Sequence, residues 1–220
     1  TNGITISGTS ANFVGTITNS GTNSGNTLIS SVIDTKVTGV YQNSTTSSLT
    51  LSGINTFTNS GLTIQSGTVL ITTVATAVGA GSVTIGNTTG TASATLLVGT
   101  TALNIARPII LATNATAGTL SIGKTSAISI TFSGGITGTN NLTIQNDGAS
   151  GTIAISTAIV NNVGTITNTG TSSGATTISF GIGSNVTAIT ENSTASALTI
   201  GTTTMIMNSG GRTITNSNAS

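Results

Sequence analysis

Along the chain, short segments recur in which an apolar residue, a small or polar residue and a second apolar residue follow one another. They are Ile4-Thr5-Ile6, Leu49-Thr50-Leu51, Leu62-Thr63-Ile64, Val83-Thr84-Ile85, Leu120-Ser121-Ile122, Ile128-Ser129-Ile130, Leu142-Thr143-Ile144, Ile153-Ala154-Ile155 and Leu198-Thr199-Ile200. Alternation of period two puts one set of side chains on a buried face, so each segment predicts a short β-strand. The clusters of Gly, Asn, Ser and Thr between them supply turns. Helical spacing of comparable quality is absent, and the helix formers Glu, Lys, Arg, Gln and Met are scarce while Thr, Val and Ile abound.

These strands lie inside a long internal repeat. Residues 15–52 and 164–201 align without a gap at an offset of 149 (164 − 15), with 21 of 38 positions identical, and the likeness reaches back to 4–52 against 153–201. A weaker echo relates 49–65 to 130–145, its offset falling from 81 to 80 across one gap. Such repetition marks arrays that grow by stacking. If both offsets are whole numbers of turns, they fit about 20–23 residues per coil, roughly four and seven coils. The expected fold over residues 1–220 is therefore a single all-β segment, a parallel β-helix (β-solenoid), with a β-sandwich as the alternative. Its interior would hold ladders of Ile, Leu and Val, with Phe13, Phe57, Phe132 and Phe180 in wider corners and Asn and Ser ladders at the turns.

Composition narrows the function. Only 3% of the 220 residues are charged and 2% aromatic, yet 35% are apolar, which argues against disorder. A net charge of +1 offers no basic stripe for nucleic acid, so no nucleic-acid partner is expected. No apolar run approaches about 18 residues, so no transmembrane helix is predicted. A surface of Thr, Ser and Asn suits a molecule that associates with itself. The opening residue, Thr1, follows no leader and reads as the start of a mature or excised piece. With no cysteine, thiol usage does not decide the compartment.

The reactive inventory is Asp34, Asp147, Glu191, Lys36, Lys124, Arg107, Arg212 and Tyr41, with no His and no Cys. No enzyme activity, catalytic residue, metal site or cofactor is expected, because the usual nucleophilic devices and metal clusters lack their ligands. The repeat agrees: Asp34 and Lys36 align with Gly183 and Asn185, and Glu191 with Gln42. Asp34 and Lys36, two apart on a predicted strand, suggest a surface pair of small worth. An isopeptide cross-link from Lys36 or Lys124 to an Asn beside Glu191 or an Asp is a second use of these groups. Calcium-binding nonapeptides are missing, and Thr-x-Thr rows do not recur at the single spacing that ice binding needs. Among the Asn-x-Ser/Thr triplets, Asn43 and Asn192 are the better glycosylation candidates because they coincide in the two copies.

The segment Leu49 to Leu70, LTLSGINTFTNSGLTIQSGTVL, resembles the autotransporter-associated β-strand repeat. Ser133 to Ile144, SGGITGTNNLTI, and Ala106 to Leu111, ARPIIL, resemble further parts of the same motif, while Phe57 and Asn59 stand where its usual form has Tyr and Gly. The resemblance implies a right-handed parallel β-helix in a secreted or surface-attached bacterial protein. The leading functional expectation is an extracellular structural solenoid that forms a fibre, sheath or stalk by head-to-tail stacking, so that its main partner is itself. An adhesin passenger binding glycan or protein on other surfaces is the alternative, and a pilus-type subunit assembled by strand donation the second.

Overall fold

The computed structural model describes residues 3–201 and 204–218, so the outermost residues of the expected 1–220 segment lie outside it. The described chain is all-β apart from one 3₁₀ turn at Ala75–Val78, and its strands stack as a parallel β-solenoid of about nine turns. Every strand pairing is parallel, which removes the sandwich alternative. Parallel neighbours this close in sequence are what coiling produces, since each strand meets the next only after one circuit.

Each coil has three sides, visited in a fixed order. The first face begins with Ile4–Ile6 and Thr27–Ile29 and ends with Val186–Glu191 and Thr213–Asn216. The second runs from Ser10–Ala11 and Val32–Ile33 to Ile153–Ile155, Thr176–Ile178 and Leu198–Ile200. The third runs from Gly15–Asn19 and Val37–Asn43 through Val160 to Gly181–Ile182 and Thr204–Met205. Where the second face lacks a regular strand, Asn55 bridges it: its Oδ1 accepts from the Ile33 amide (2.8 Å) and its Nδ2 donates to the Ala77 carbonyl (2.7 Å). A side-chain amide there replaces a peptide group of the ladder.

Alternation decides what faces inward. Ile29, Leu51, Ile71, Leu96, Ile122 and Ile144 are fully buried, while Leu28, Thr50, Leu70 and Thr143 beside them are only half-buried and Ser121 is covered. Short uncharged side chains suit the outer surface because neighbours about 4.8 Å away would set like charges against each other. At Ile128-Ser129-Ile130 the strand is instead Ile130–Phe132, because the Ile128 amide closes a turn on the Ser126 carbonyl (2.8 Å). Phe57 and Phe132 fill the interior as expected. Phe13 and Phe180 do not, being 45% and 46% exposed at the chain's first coil and on an outer bend.

Following register partners up the first face gives Ile4, Thr27, Leu49, Val69, Leu96, Ile122, Ile144, Asn168, Glu191 and Asn216. The steps are 23, 22, 20, 27, 26, 22, 24, 23 and 25 residues, a mean of (216 − 4)/9 ≈ 23.6. The two largest steps carry the long bends 86–93 and 112–119 between third and first faces.

The long repeat is not a whole number of turns. Gly15–Asn19 is on the third face, but its copy Gly164–Thr169 is on the first; Thr27–Ile29 is on the first, its copy Thr176–Ile178 on the second. With three positions per coil, Gly15–Asn19 is the third position and Gly164–Thr169 the twenty-second, so the copy is 22 − 3 = 19 positions on, six turns and one third. The shorter echo behaves alike: Leu49–Leu51 is position 7 on the first face and Ile130–Phe132 position 17 on the second, three turns and one third. The expectation of about seven and four coils fails because the repeating unit is the strand with its turn, and the three faces accept the same sequence.

Candidate functional site

The charged residues do not converge. Asp34 and Lys36 lie in a turn rather than on a strand, and Asp34 accepts from the Thr35 hydroxyl (2.9 Å). That hydrogen bond holds its carboxyl below the usual value of 3.8, with Lys36 adding only a minor attraction. Arg107 donates from Nε to the Gly79 carbonyl (3.1 Å), and Arg212 donates to the carbonyls of Gly183 (2.7 Å), Val186 (3.1 Å) and Ile206 (2.9 Å). Both arginines therefore close bends between coils. Among the described residues no group of three or more acids, His or Cys is placed to hold a metal ion.

Lys124 is fully buried, and its Nζ donates to the carbonyls of Asp147 (2.7 Å), Ser150 (2.8 Å) and Ser126 (3.0 Å) and to Ser172 Oγ (3.4 Å). Burial pushes its pKa below 10.5, opposed in part by the nearby Asp147 carboxylate. That carboxylate is itself engaged by Gln145 Nε2 (2.6 Å) and the Thr171 amide (3.2 Å). The ammonium thus acts as an internal cross-brace between coils, with its protons committed to carbonyl oxygens.

Sequence reasoning passed over a polar network inside the solenoid. Asn19 Nδ2 donates to Gln42 Oε1 (2.7 Å) and the Ser47 carbonyl (3.0 Å), Thr27 Oγ1 donates to Asn19 Oδ1 (3.1 Å), and Ser47 Oγ donates to the Gly25 carbonyl (2.7 Å). Ser44 Oγ donates to the Gly21 carbonyl and accepts from the Ser47 amide (3.0 Å). The same device recurs 149 residues on: Asn168 Nδ2 donates to Glu191 Oε2 (2.9 Å) and Ser196 Oγ (3.3 Å), and Ser193 Oγ donates to the Gly170 carbonyl (2.9 Å). Beside it, Asn146 Nδ2 donates to the Gly174 carbonyl (2.7 Å), Thr176 Oγ1 (3.3 Å) and Ser196 Oγ (3.3 Å). The signal was legible: Asn19, Thr27, Ser44 and Ser47 are identical in both copies although they are polar. A further ladder ties Asn162 Nδ2 to the Asn140 carbonyl (2.8 Å) and Asn140 Nδ2 to that of Asn114 (2.9 Å), the Asn ladder expected at the turns.

Asn43 and Asn192 are both exposed, at equivalent bends. Asn43 lines an open groove of about 450 Å³ with Ser20, Thr22, Thr46, Gln65 and Asn87. Two further hollows lie on the first and last described coils. One, about 370 Å³, is lined by Ile4, Asn19, Gly25, Thr27 and Ser47; the other, about 350 Å³, by Glu191, Leu198, Ile200, Ile214 and Asn216. Ile4 is 62% and Ile214 64% exposed, whereas Ile153, the copy of Ile4, is fully buried and Ile189, the register partner of Ile214, is 1% exposed. No helix of the described chain is long and apolar enough to cross a membrane. Comparison with protein-family models, with curated proteins and with solved structures finds no match to this chain.

Proposed function

We propose that this chain is an extracellular structural module, a solenoid segment that builds a fibre, sheath or stalk by end-to-end continuation of its coils. One observation carries the reading: the 149-residue repeat spans 19 whole strand positions, so a repeated unit takes up the stack where the unit before it leaves off. Arrays of this kind grow by stacking one unit on the next. The uncharged Thr, Ser and Asn exterior and the resemblance to autotransporter-associated repeats support placement outside the cell. In this reading the buried network and Lys124 set the stacking of coils, and the chain performs no chemistry. A second reading, an adhesin surface, is favoured by the groove around Asn43, whose hydroxyls and amides suit glycan hydroxyl groups. Sedimentation velocity and electron microscopy of the 220-residue chain over a range of concentrations separate the two. Filaments that lengthen with concentration support the fibre; finite rods that stay monomeric and bind immobilised glycans support the adhesin.

A further inference from the structure

We infer that a hollow beside Arg107 binds a carboxylate, the acid group of a uronic-acid residue flanked by neutral sugars in a polysaccharide. The inference needs neither end-to-end assembly nor the groove around Asn43. That groove lies where the third face turns into the first. Arg107 lies where the second face turns into the third, between Asn104–Ile105 and Ile109–Leu111.

An interruption of the second face makes the hollow. From Asn104–Ile105 upward that face is a regular ladder through Ile130–Phe132, Ile153–Ile155, Thr176–Ile178 and Leu198–Ile200. Below it lies the 3₁₀ turn Ala75–Val78, whose tighter backbone offers no matching strand. The mismatch leaves a space of about 200 Å³ lined by Ala75, Thr76, Asn104, Ala106 and Arg107. Sites that enclose a whole small molecule measure roughly 300–1,000 Å³, so this one fits a single functional group of a larger ligand.

Three of the lining side chains carry donors that no acceptor of the described chain takes up. Arg107 Nε donates to the Gly79 carbonyl (3.1 Å), which orients the guanidinium and leaves its two terminal nitrogens free. Asn104 Oδ1 accepts from Ser133 Oγ (2.7 Å), so the amide nitrogen is the open end of that side chain. The Thr76 hydroxyl is exposed at the rim. No acid lines the hollow, so the cation meets no carboxylate of its own chain there. The bend is also held in place: Pro108 fixes its own φ, its carbonyl accepts from the Val83 amide (2.9 Å), and the Ile109 amide donates to the Gly135 carbonyl (3.0 Å). A site ordered in advance loses little entropy when it is filled.

The donors select the ligand. The terminal nitrogens of a guanidinium lie side by side in one plane and match the two oxygens of a carboxylate, to which an amide and a hydroxyl add neutral hydrogen bonds. The surface above the hollow says what carries the acid. Register partners continue from Asn104 through Thr131, Ala154, Thr177 and Thr199, the outward column of the second face. This column offers hydroxyls in steps of ~4.8 Å, with no charge and no pocket for a bulky side chain. Neutral sugars on either side of the acid can hydrogen-bond to such a row through their own hydroxyls. A peptide segment would bring side chains that find no complement on it.

Calorimetric titration of the 220-residue chain with a tetrasaccharide of alternating glucuronic acid and N-acetylglucosamine tests the assignment. The methyl ester of the same sugar, which lacks the charge, should bind about tenfold more weakly, and Arg107→Gln should weaken the acid by about the same factor. Because Arg107 also closes a bend through Nε, Asn104→Ala and Thr76→Val serve as second variants that leave this bond in place. Each should weaken the acid by about threefold, with an unchanged circular dichroism spectrum showing that the fold persists. Raising sodium chloride from about 0.05 to 0.5 M should weaken the acid and spare the ester. Equal affinity for acid and ester, or no binding of the acid, overturns the inference. So does binding that all three variants leave unchanged, which would place the sugar elsewhere, as in the groove around Asn43. Tighter binding of a Ser/Gly hexapeptide with one Glu would keep the carboxylate hollow and overturn the sugar as its bearer. The fibre reading stands or falls separately, on filament growth.

Discussion

Lys124 shows how this interior tolerates a charge. Its ammonium is fully buried yet meets four oxygen acceptors, so the desolvation cost is offset by charge-assisted hydrogen bonds rather than by an ion pair in contact. Because burial lowers its pKa from 10.5, the folded chain releases this proton at lower pH than the unfolded chain does. Below the lowered pKa both states carry the proton and the full cost of the buried charge stands. Between it and 10.5 the unfolded state binds more protons, so stability rises with pH across that window. Thermal melts of the wild type should therefore gain stability from neutral pH toward pH 10 relative to Lys124→Met; parallel pH profiles for the two proteins would remove Lys124 as the cause. The Asn168–Glu191 pair offers a second test, because the first copy holds Gln42 at the same position. Glu191→Gln should fold with a melting temperature equal to or above the wild type, whereas Asn168→Leu, which strips the carboxylate of its amide donor, should cost on the order of 3 kcal/mol in denaturant titrations.

At the scale of the strand, corners are more demanding than faces. The strand Leu62–Ile71 serves two faces, pairing with Val37–Asn43 through its first half and Leu49–Leu51 through its second. The bend between them is at Gly67, where φ is +71° and an added Cβ would lie 1.9 Å from the Ser44 carbonyl oxygen. Gly67→Ala should thus destabilise the chain by roughly 3 kcal/mol, combining backbone strain with a forced shift of the coil below. Hydrogen exchange should show the loss of protection centred on residues 37–71; loss spread evenly over all coils would mean that the bend is not where the strain falls. Corners are also where sequence reading ran short. Period-two alternation placed strands such as Leu49–Leu51 and Val83–Ile85 correctly, because a buried face imposes its pattern locally. The bends follow the coil beneath them, as where the Ser44 hydroxyl reaches Gly21, and no local pattern announces a partner 23 residues away. Phe13 is another such corner: it is 45% exposed, while its copy Asn162 is fully buried, so the alternation pattern does not fix which side of the bend the residue takes.

For the whole molecule, the sequence repeat and the structural repeat are different lengths, and that difference has a mechanical meaning. A unit of 149 residues spans 19 strand positions and advances by one third of a circuit, so equivalent features, the exposed bends at Asn43 and Asn192 among them, move round the axis from one unit to the next. Three successive units would return to the starting face after 19 turns, distributing each surface feature evenly around a fibre. The strand-plus-turn unit tolerates this because all three faces pack the same aliphatic interior and present the same small polar exterior. Insertion of a second copy of residues 15–163 directly after Val163 should consequently be seamless: the inserted Gly15 follows a residue equivalent to Val14, and every later strand moves one face on without breaking register. The rod should lengthen by about 30 Å, six and one third coils at ~4.8 Å, as measured by small-angle scattering or electron microscopy of monomers bearing Ile200→Asp to block end contacts. Unfolding should become more resistant to denaturant as nearest-neighbour interfaces are added. Insertion of 141 residues, one strand and turn of about 8 residues fewer, offers the contrast: it fills six whole turns, so the strand after the junction falls on its original face but meets the wrong partner in the copy below. A solenoid read only by alternation would accept both insertions equally; one that is read corner by corner, through Asn19, Thr27 and Ser47, should accept the first and lose cooperativity with the second.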